Sequence, residues 1–204
     1  MILTERETST DADTRIEEPV RLQFAVIIGS NRAGRFGETV GKWFVEQART
    51  AENVNIDVID LVDIALPSDL SGGPDVEAFR ERIGTADGFI IITPEYNHSF
   101  PGYLKHVIDS VKAEWKAKPV GFVSYGGLSG GLRAVEGLRL VFAELHAVTI
   151  RDVLSFHQAH AQFDEQGQPK DAANANRTAA YVLNELAWWA RALKAGREAI
   201  PYPG

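Results

Sequence analysis

Residues 94–102 read Pro94-Glu95-Tyr96-Asn97-His98-Ser99-Phe100-Pro101-Gly102, placing a carboxylate, a phenol, an amide and a hydroxyl between two prolines. With their backbone N–H and C=O groups they can meet the edge of a planar heterocycle. The same residues also fit a buried anchor at Tyr96 and a turn at Asn97, because Asn tolerates tight backbone geometry. A second candidate is Gly29-Ser30-Asn31-Arg32-Ala33-Gly34-Arg35-Phe36-Gly37. Ser30 offers a hydroxyl, and Arg32 and Arg35 offer charge-assisted donors suited to a phosphate. The glycine spacing of a dinucleotide fingerprint is missing, because Asn31 stands at the second glycine; no Gly-Lys-Ser/Thr follows either, so it is not a Walker loop. A solvated turn with surface arginines would read the same way. The third candidate, Ser124-Tyr125-Gly126-Gly127-Leu128-Ser129-Gly130-Gly131, has four glycines within six residues. Glycine lets a backbone approach a flat ligand closely, and it equally makes a flexible turn.

Each of these stretches follows an apolar run. Leu22 to Ile28, Gly88 to Thr93 and Val120 to Ser124 read as buried strands. Val54 to Ile59 alternates at period two, and Val148 to Leu154 supplies a fifth strand. Helical patterns fall between them at Glu38–Thr50, Asp75–Ile83, Phe100–Lys112 and Leu132–His146. A long terminal helix is expected over Asp171–Ala195, with Asp171 as its N-cap. Pro101 suits the first turn of the third helix. Strand–helix alternation argues for an α/β chain with a parallel sheet, and right-handed crossovers narrow it to a doubly wound one. In such sheets ligands bind outside the carboxyl ends of the strands, where all three candidate loops lie.

Composition limits the alternatives. The 204 residues suffice for one domain, with 45% hydrophobic and 24% charged residues. A net charge of −7 and a pI near 5.3 argue against nucleic acid, whose phosphates require a basic face. No cysteine is present, which excludes thiol catalysis and disulfides. His157 and His160 are spaced loosely for a metal, but a site needs more ligands than that pair, and a surface loop is expected for them. No apolar run reaches the roughly 20 residues that span a bilayer. The start lacks a signal-peptide pattern, so the cytoplasm is the expected compartment and no membrane partner is expected. Residues 1–19, rich in Thr, Glu and Asp, are expected to be a disordered acidic tail before a single domain at 20–204.

The three loops together resemble the NAD(P)H-dependent FMN reductase family, which includes quinone, azo-dye and chromate reductases. The resemblance rests on Gly-Ser-x-Arg at 29–32, Pro-Glu-Tyr-Asn-x-Ser-x-Pro-Gly-x-Leu-Lys at 94–105, and Gly-x-x-Gly-Gly-x-Arg-Ala at 127–134. It implies a flavodoxin-like five-stranded sheet of order 2-1-3-4-5, FMN as cofactor and NADPH or NADH as donor. Ser30 and Arg32 match the phosphate positions, with Arg35, Phe36 and Gly37 completing that loop. Pro94, Glu95, Tyr96 and Asn97 match the border of the isoalloxazine and ribityl chain, and Ser124, Tyr125, Gly126 and Gly127 the flavin's other side. Two departures stand out: many members carry Ser and Asn where this chain has Arg35 and Gly37. Arg35 is expected to compensate as a second phosphate donor, and Glu38 to point away or pair with an arginine.

The resemblance further implies a ping-pong oxidoreductase, with hydride passing from the nicotinamide to flavin N5 and then two electrons to a quinone, flavin, azo or related acceptor. No side chain is needed as nucleophile or metal ligand, and Glu95 and Tyr96 become positioning groups. A homodimer or homotetramer is implied as well. Two other classes remain open at this level: a flavin-binding electron carrier or redox sensor, and a binding module without flavin.

Overall fold

The structure, a computed structural model, describes residues 21–204. The expected acidic tail lies outside the described residues. β1 (Leu22–Ile28), β2 (Val54–Asp60), β3 (Gly88–Pro94), β4 (Pro119–Tyr125) and β5 (Val148–Phe156) alternate with α1 (Gly37–Ala48), α2 (Pro74–Thr85), α3 (Gly102–Asp109) and α4 (Leu132–Glu144). A short α5 (Ala159–Gln162) and a 28-residue α6 (Ala172–Ala199) follow. All four strand pairings are parallel and the order is β2-β1-β3-β4-β5, as expected.

Strand alternation explains the two-sided core. In β1, Leu22, Phe24, Val26 and Ile28 join a layer with α1 and α6, while Ala25 and Ile27 face the layer built with α2, α3 and α4. β3 repeats this, with Ile90 and Ile92 on the first side and Phe89 and Ile91 on the second. Every residue of β3 and β4 is buried, which is why these strands read as unbroken apolar runs. Trp115 is core, its indole N–H donating to Ile108 O and Val111 O. Trp189 packs partly against the first layer, while Trp188 is exposed.

Several boundaries differ from expectation for local reasons. Pro101 precedes α3 with extended ψ of 133° rather than lying in its first turn, so that helix runs Gly102–Asp109 only. Beyond it, residues 113–115 form a 3-10 turn that places Trp115 in the core. β5 continues two residues past Leu154, pairing Ser155 and Phe156 with Ser124 and Tyr125. Asp171 caps α6 as expected, accepting from Asn174 N at 3.2 Å.

Candidate functional site

A cleft of about 460 Å³ opens at the carboxyl ends of β1, β3 and β4. That size is ordinary for small-molecule sites, which span roughly 300–1,000 Å³. Arg32, Arg35 and Phe36 line it from the first loop, and Pro94, Glu95 and Tyr96 from the second. Tyr125, Gly126 and Gly127 supply the third wall. Of the remaining expected residues, Ser30, Gly37 and Ser124 are buried behind these walls, and Asn97 is exposed and does not line the cleft. Ser30 is fully buried and its Oγ shares a 2.6 Å hydrogen bond with the Tyr96 hydroxyl, joining the first loop to the second. Ser124 Oγ donates to Gly130 O at 2.8 Å and so shapes the glycine-rich loop from beneath. Asn97 sits at the tip of a tight turn.

That turn has a definite geometry. Asn97 and His98 both have left-handed φ, 47° and 73°, while Tyr96 and Ser99 exchange both backbone hydrogen bonds, at 2.8 and 3.0 Å. Two consecutive left-handed residues between paired partners form a primed hairpin turn, where Asn is favoured. The turn holds Tyr96 toward Ser30.

Among the described residues the first loop leaves one of its two arginines unpaired. Arg35 was expected as a second phosphate donor. Its guanidinium instead grips both carboxylate oxygens of Asp60, at the end of β2, and donates to Ser30 O at 2.6 Å. Its side chain is 8% exposed, so this is an inward anchor for the loop. Arg32 is exposed at the cleft and forms no ion pair among the described residues. Glu38 pairs with a lysine rather than an arginine. Lys42 Nζ donates to it at 2.6 Å, and this hydrogen bond and charge hold the carboxyl below its ordinary range. Thr39 N and Val40 N donate to Phe36 O at 3.1 and 3.3 Å, which leaves Gly37 N and Glu38 N without a backbone partner among the described residues, at a helix N-terminus whose dipole suits an anion beside Arg32.

Gly37 has a steric reason at this position. A Cβ there would lie 2.5 Å from the Tyr125 hydroxyl. That hydroxyl is buried, lines the cleft through its residue and has no hydrogen-bond partner within 3.5 Å among the described residues. Burial, then the neighbouring Tyr96, pushes its pKa above the ordinary value, so it stays a neutral donor. An orphaned buried donor at the cleft wall calls for an acceptor from a ligand. The donor set fits FMN: a guanidinium and helix amides for phosphate, a phenol for a polar chain and an open glycine backbone for a flat ring. Gly127 has no atom within 4 Å of where its Cβ would stand.

Glu95 meets the glycine-rich loop. Burial would raise its carboxyl, but hydrogen bonds from Ser129 and Arg133 outweigh this and hold it below the usual carboxylate range. It is therefore an ionised holding group.

Sequence reasoning missed one wall. Gln158, Ala159, His160 and Ala161 also line the cleft. Gln158 N and Ala159 N donate to Gly127 O and Gly126 O at 2.8 and 3.0 Å, tying this segment to the glycine-rich loop. His160 packs on Phe36 with ring centroids 4.4 Å apart. The left-handed Gln158, with φ of 48°, turns the chain back toward the cleft after β5. A polar residue in that conformation leaves no readable signal in sequence. Among the described residues no cluster of metal-ligand side chains occurs, and no helix is long and apolar enough to cross a membrane.

The family model described as NADPH-dependent FMN reductase matches residues 22–161. An NAD(P)H-dependent FMN reductase of Schizosaccharomyces pombe is 38% identical over 117 residues, covering 52% of this chain and 58% of that protein. An NAD(P)H:quinone oxidoreductase of Solanum tuberosum is 32% identical over 178 residues, covering 81% of this chain and 91% of the relative. Among solved structures, the flavoenzyme NAD(P)H:(acceptor) oxidoreductase FerB of Paracoccus denitrificans superposes with a TM-score of 0.66 at 24% identity, over 83% of this chain and 98% of its own. That likeness establishes the flavodoxin-like fold. With loops, cleft and relatives in agreement, the chain belongs to the NADPH-dependent FMN reductase family.

Proposed function

We propose that this protein is an FMN-dependent NAD(P)H oxidoreductase that reduces quinone-type acceptors. The observation that carries the reading is the cleft at the carboxyl ends of β1, β3 and β4, where a phosphate-ready loop meets two flat, open loop walls. When bound, FMN would supply the redox chemistry, a two-electron path from a nicotinamide hydride to the acceptor. The protein's part is placement and electrostatics. Arg32 and the first-turn amides of α1 would hold the phosphate. The Tyr125 hydroxyl would donate to an oxygen of the bound group. Pro94 to Tyr96 on one side and Gly126–Gly127 on the other would border the ring. Phe36 and His160, packed on each other, line the cleft's far side.

One mouth would admit donor and acceptor in turn. Purified protein is expected to bind FMN and to bleach its visible absorbance within seconds of NADPH or NADH addition. A quinone should then restore the colour, with parallel lines in double-reciprocal plots. Bound FMN that NAD(P)H leaves oxidised would favour an electron carrier, and failure to bind FMN would leave a binding module.

A homodimer fits the surface. Leu128, Leu132 and Leu140 are 82%, 40% and 76% exposed on the glycine-rich loop and along α4. Apolar side chains grouped this way favour a partner surface. Light scattering is expected to give about twice the 22.4 kDa of the chain, and a monomer mass at micromolar concentration would count against it. Use of a nicotinamide donor favours a cytoplasmic setting.

A further inference from the structure

The glycine-rich wall of the cleft has little reason of its own to keep one shape. Gly126, Gly127, Gly130 and Gly131 remove side-chain restraint from most of it, and ordering such a chain is entropically costly. Its two ends are tied from below. Ser124 Oγ and Ser155 Oγ both donate to Gly130 O, at 2.8 and 2.9 Å, and the 158–159 amides hold Gly126 and Gly127. Between these ties lies the tip, Leu128–Ser129. Leu128 O meets His157 Nδ1 at 2.9 Å. Ser129 O accepts from Leu132 N at 3.1 Å, and the side-chain restraint on Ser129 comes from Glu95, at the end of the neighbouring strand.

We propose that Glu95 is the positioning residue that clasps the glycine-rich loop into a fixed wall of the flavin cleft, acting through Ser129 and Arg133. Both carboxylate oxygens take part. Oε2 accepts from the Ser129 hydroxyl and from Arg133 N at 3.3 Å, and Oε1 accepts from the Arg133 guanidinium at 3.0 Å. Glu95 N also donates to Tyr125 O at 3.2 Å, so one residue links the end of β3, the end of β4, the loop tip and the first turn of α4. A carboxylate there complements the helix dipole of α4. The Glu95 side chain is 9% exposed against 46% for Arg133, so the clasp closes from inside the cleft outward. Among the described residues its side-chain partners belong to the loop and α4, which makes the carboxylate a restraint on the wall.

The inference rests on the FMN reading for its consequence and on the protein alone for its geometry, and two measurements separate the parts. The first is amide hydrogen exchange of residues 126–131 in ligand-free protein. Glu95→Gln should speed it at least tenfold and leave β3 and β4 amides unchanged. The second is FMN affinity by fluorescence quenching, which should weaken about tenfold. Ser129→Ala and Arg133→Met cut the clasp from its exposed side and should reproduce the loop effect. Glu95→Gln combined with Arg133→Met should be no worse than Glu95→Gln, and Arg133→Lys should restore part of the affinity. Unchanged exchange at 126–131 in Glu95→Gln overturns the clasp. If Glu95→Gln does not fold, unchanged exchange in both Ser129→Ala and Arg133→Met overturns it equally. Faster exchange in a protein that never binds FMN would uphold the clasp and sink the cofactor reading instead.

Discussion

Arg32→Ala is expected to weaken FMN binding by about 10- to 100-fold while leaving riboflavin binding within about twofold, because the phosphate is the only difference between the two ligands. A hydrogen bond to a charged group contributes roughly 1.5–3 kcal/mol, and each 1.4 kcal/mol is tenfold in affinity. Arg32 is the cation that the first loop leaves open to the cleft, whereas Arg35 is spent on Asp60 and the Ser30 carbonyl. Arg32→Lys should retain part of the effect as a point charge without the planar fork. The wild-type preference for FMN over riboflavin should shrink as salt rises, since Arg32 is solvent-exposed. Arg35→Met serves as the contrast. It loosens the loop from β2 and should weaken FMN and riboflavin alike. Isothermal titration of both flavins against the three variants checks the set. A loss shared equally by FMN and riboflavin in Arg32→Ala would remove Arg32 from the phosphate site.

The difference between Arg32 and Arg35 marks where sequence reading stops. Both arginines sit in one nine-residue loop and look equivalent as text. What separates them is Asp60, 25 residues away, which becomes a neighbour only because β2 pairs with β1. The strands were legible because period and burial agree: β1 was readable to both ends, and β3 and β4 read as apolar runs because both faces are covered. The three loops were legible because each combines punctuation with chemistry directly after such a run. His160 was not. It reaches the cleft through two extra residues of β5, a left-handed Gln158 and a single turn of helix, none of which leaves a period to detect. The clasp at Glu95 is similar. The carboxylate was visible, but its partners Ser129 and Arg133 are joined to it by the packing of β3 against β4.

Within one glycine-rich loop, neighbouring glycines should therefore behave differently. Gly131→Ala is expected to destabilise the fold by roughly 2–5 kcal/mol, combining left-handed strain with overpacking. Gly131 has φ of 87°, and a Cβ there would lie 2.8 Å from Tyr125 N, 3.0 Å from Tyr125 O and 2.8 Å from Ser124 Cβ. Two of those atoms are the backbone of a central strand paired on both sides, so they cannot step aside. At this chain length each kcal/mol corresponds to about 2–4 °C, so the melting temperature should fall by about 10 °C. Gly127→Ala should cost less than about 1 kcal/mol, because nothing stands within 4 Å of the added methyl. Its effect should instead appear on flavin affinity, since Gly127 faces the cleft. Thermal melts of ligand-free protein, paired with FMN titrations, separate the two roles. A stable Gly131→Ala, or a Gly127→Ala that unfolds while binding FMN normally when folded, would contradict the division. The motif thus joins two requirements four residues apart: backbone that must pack against β4, and backbone left bare for the ligand.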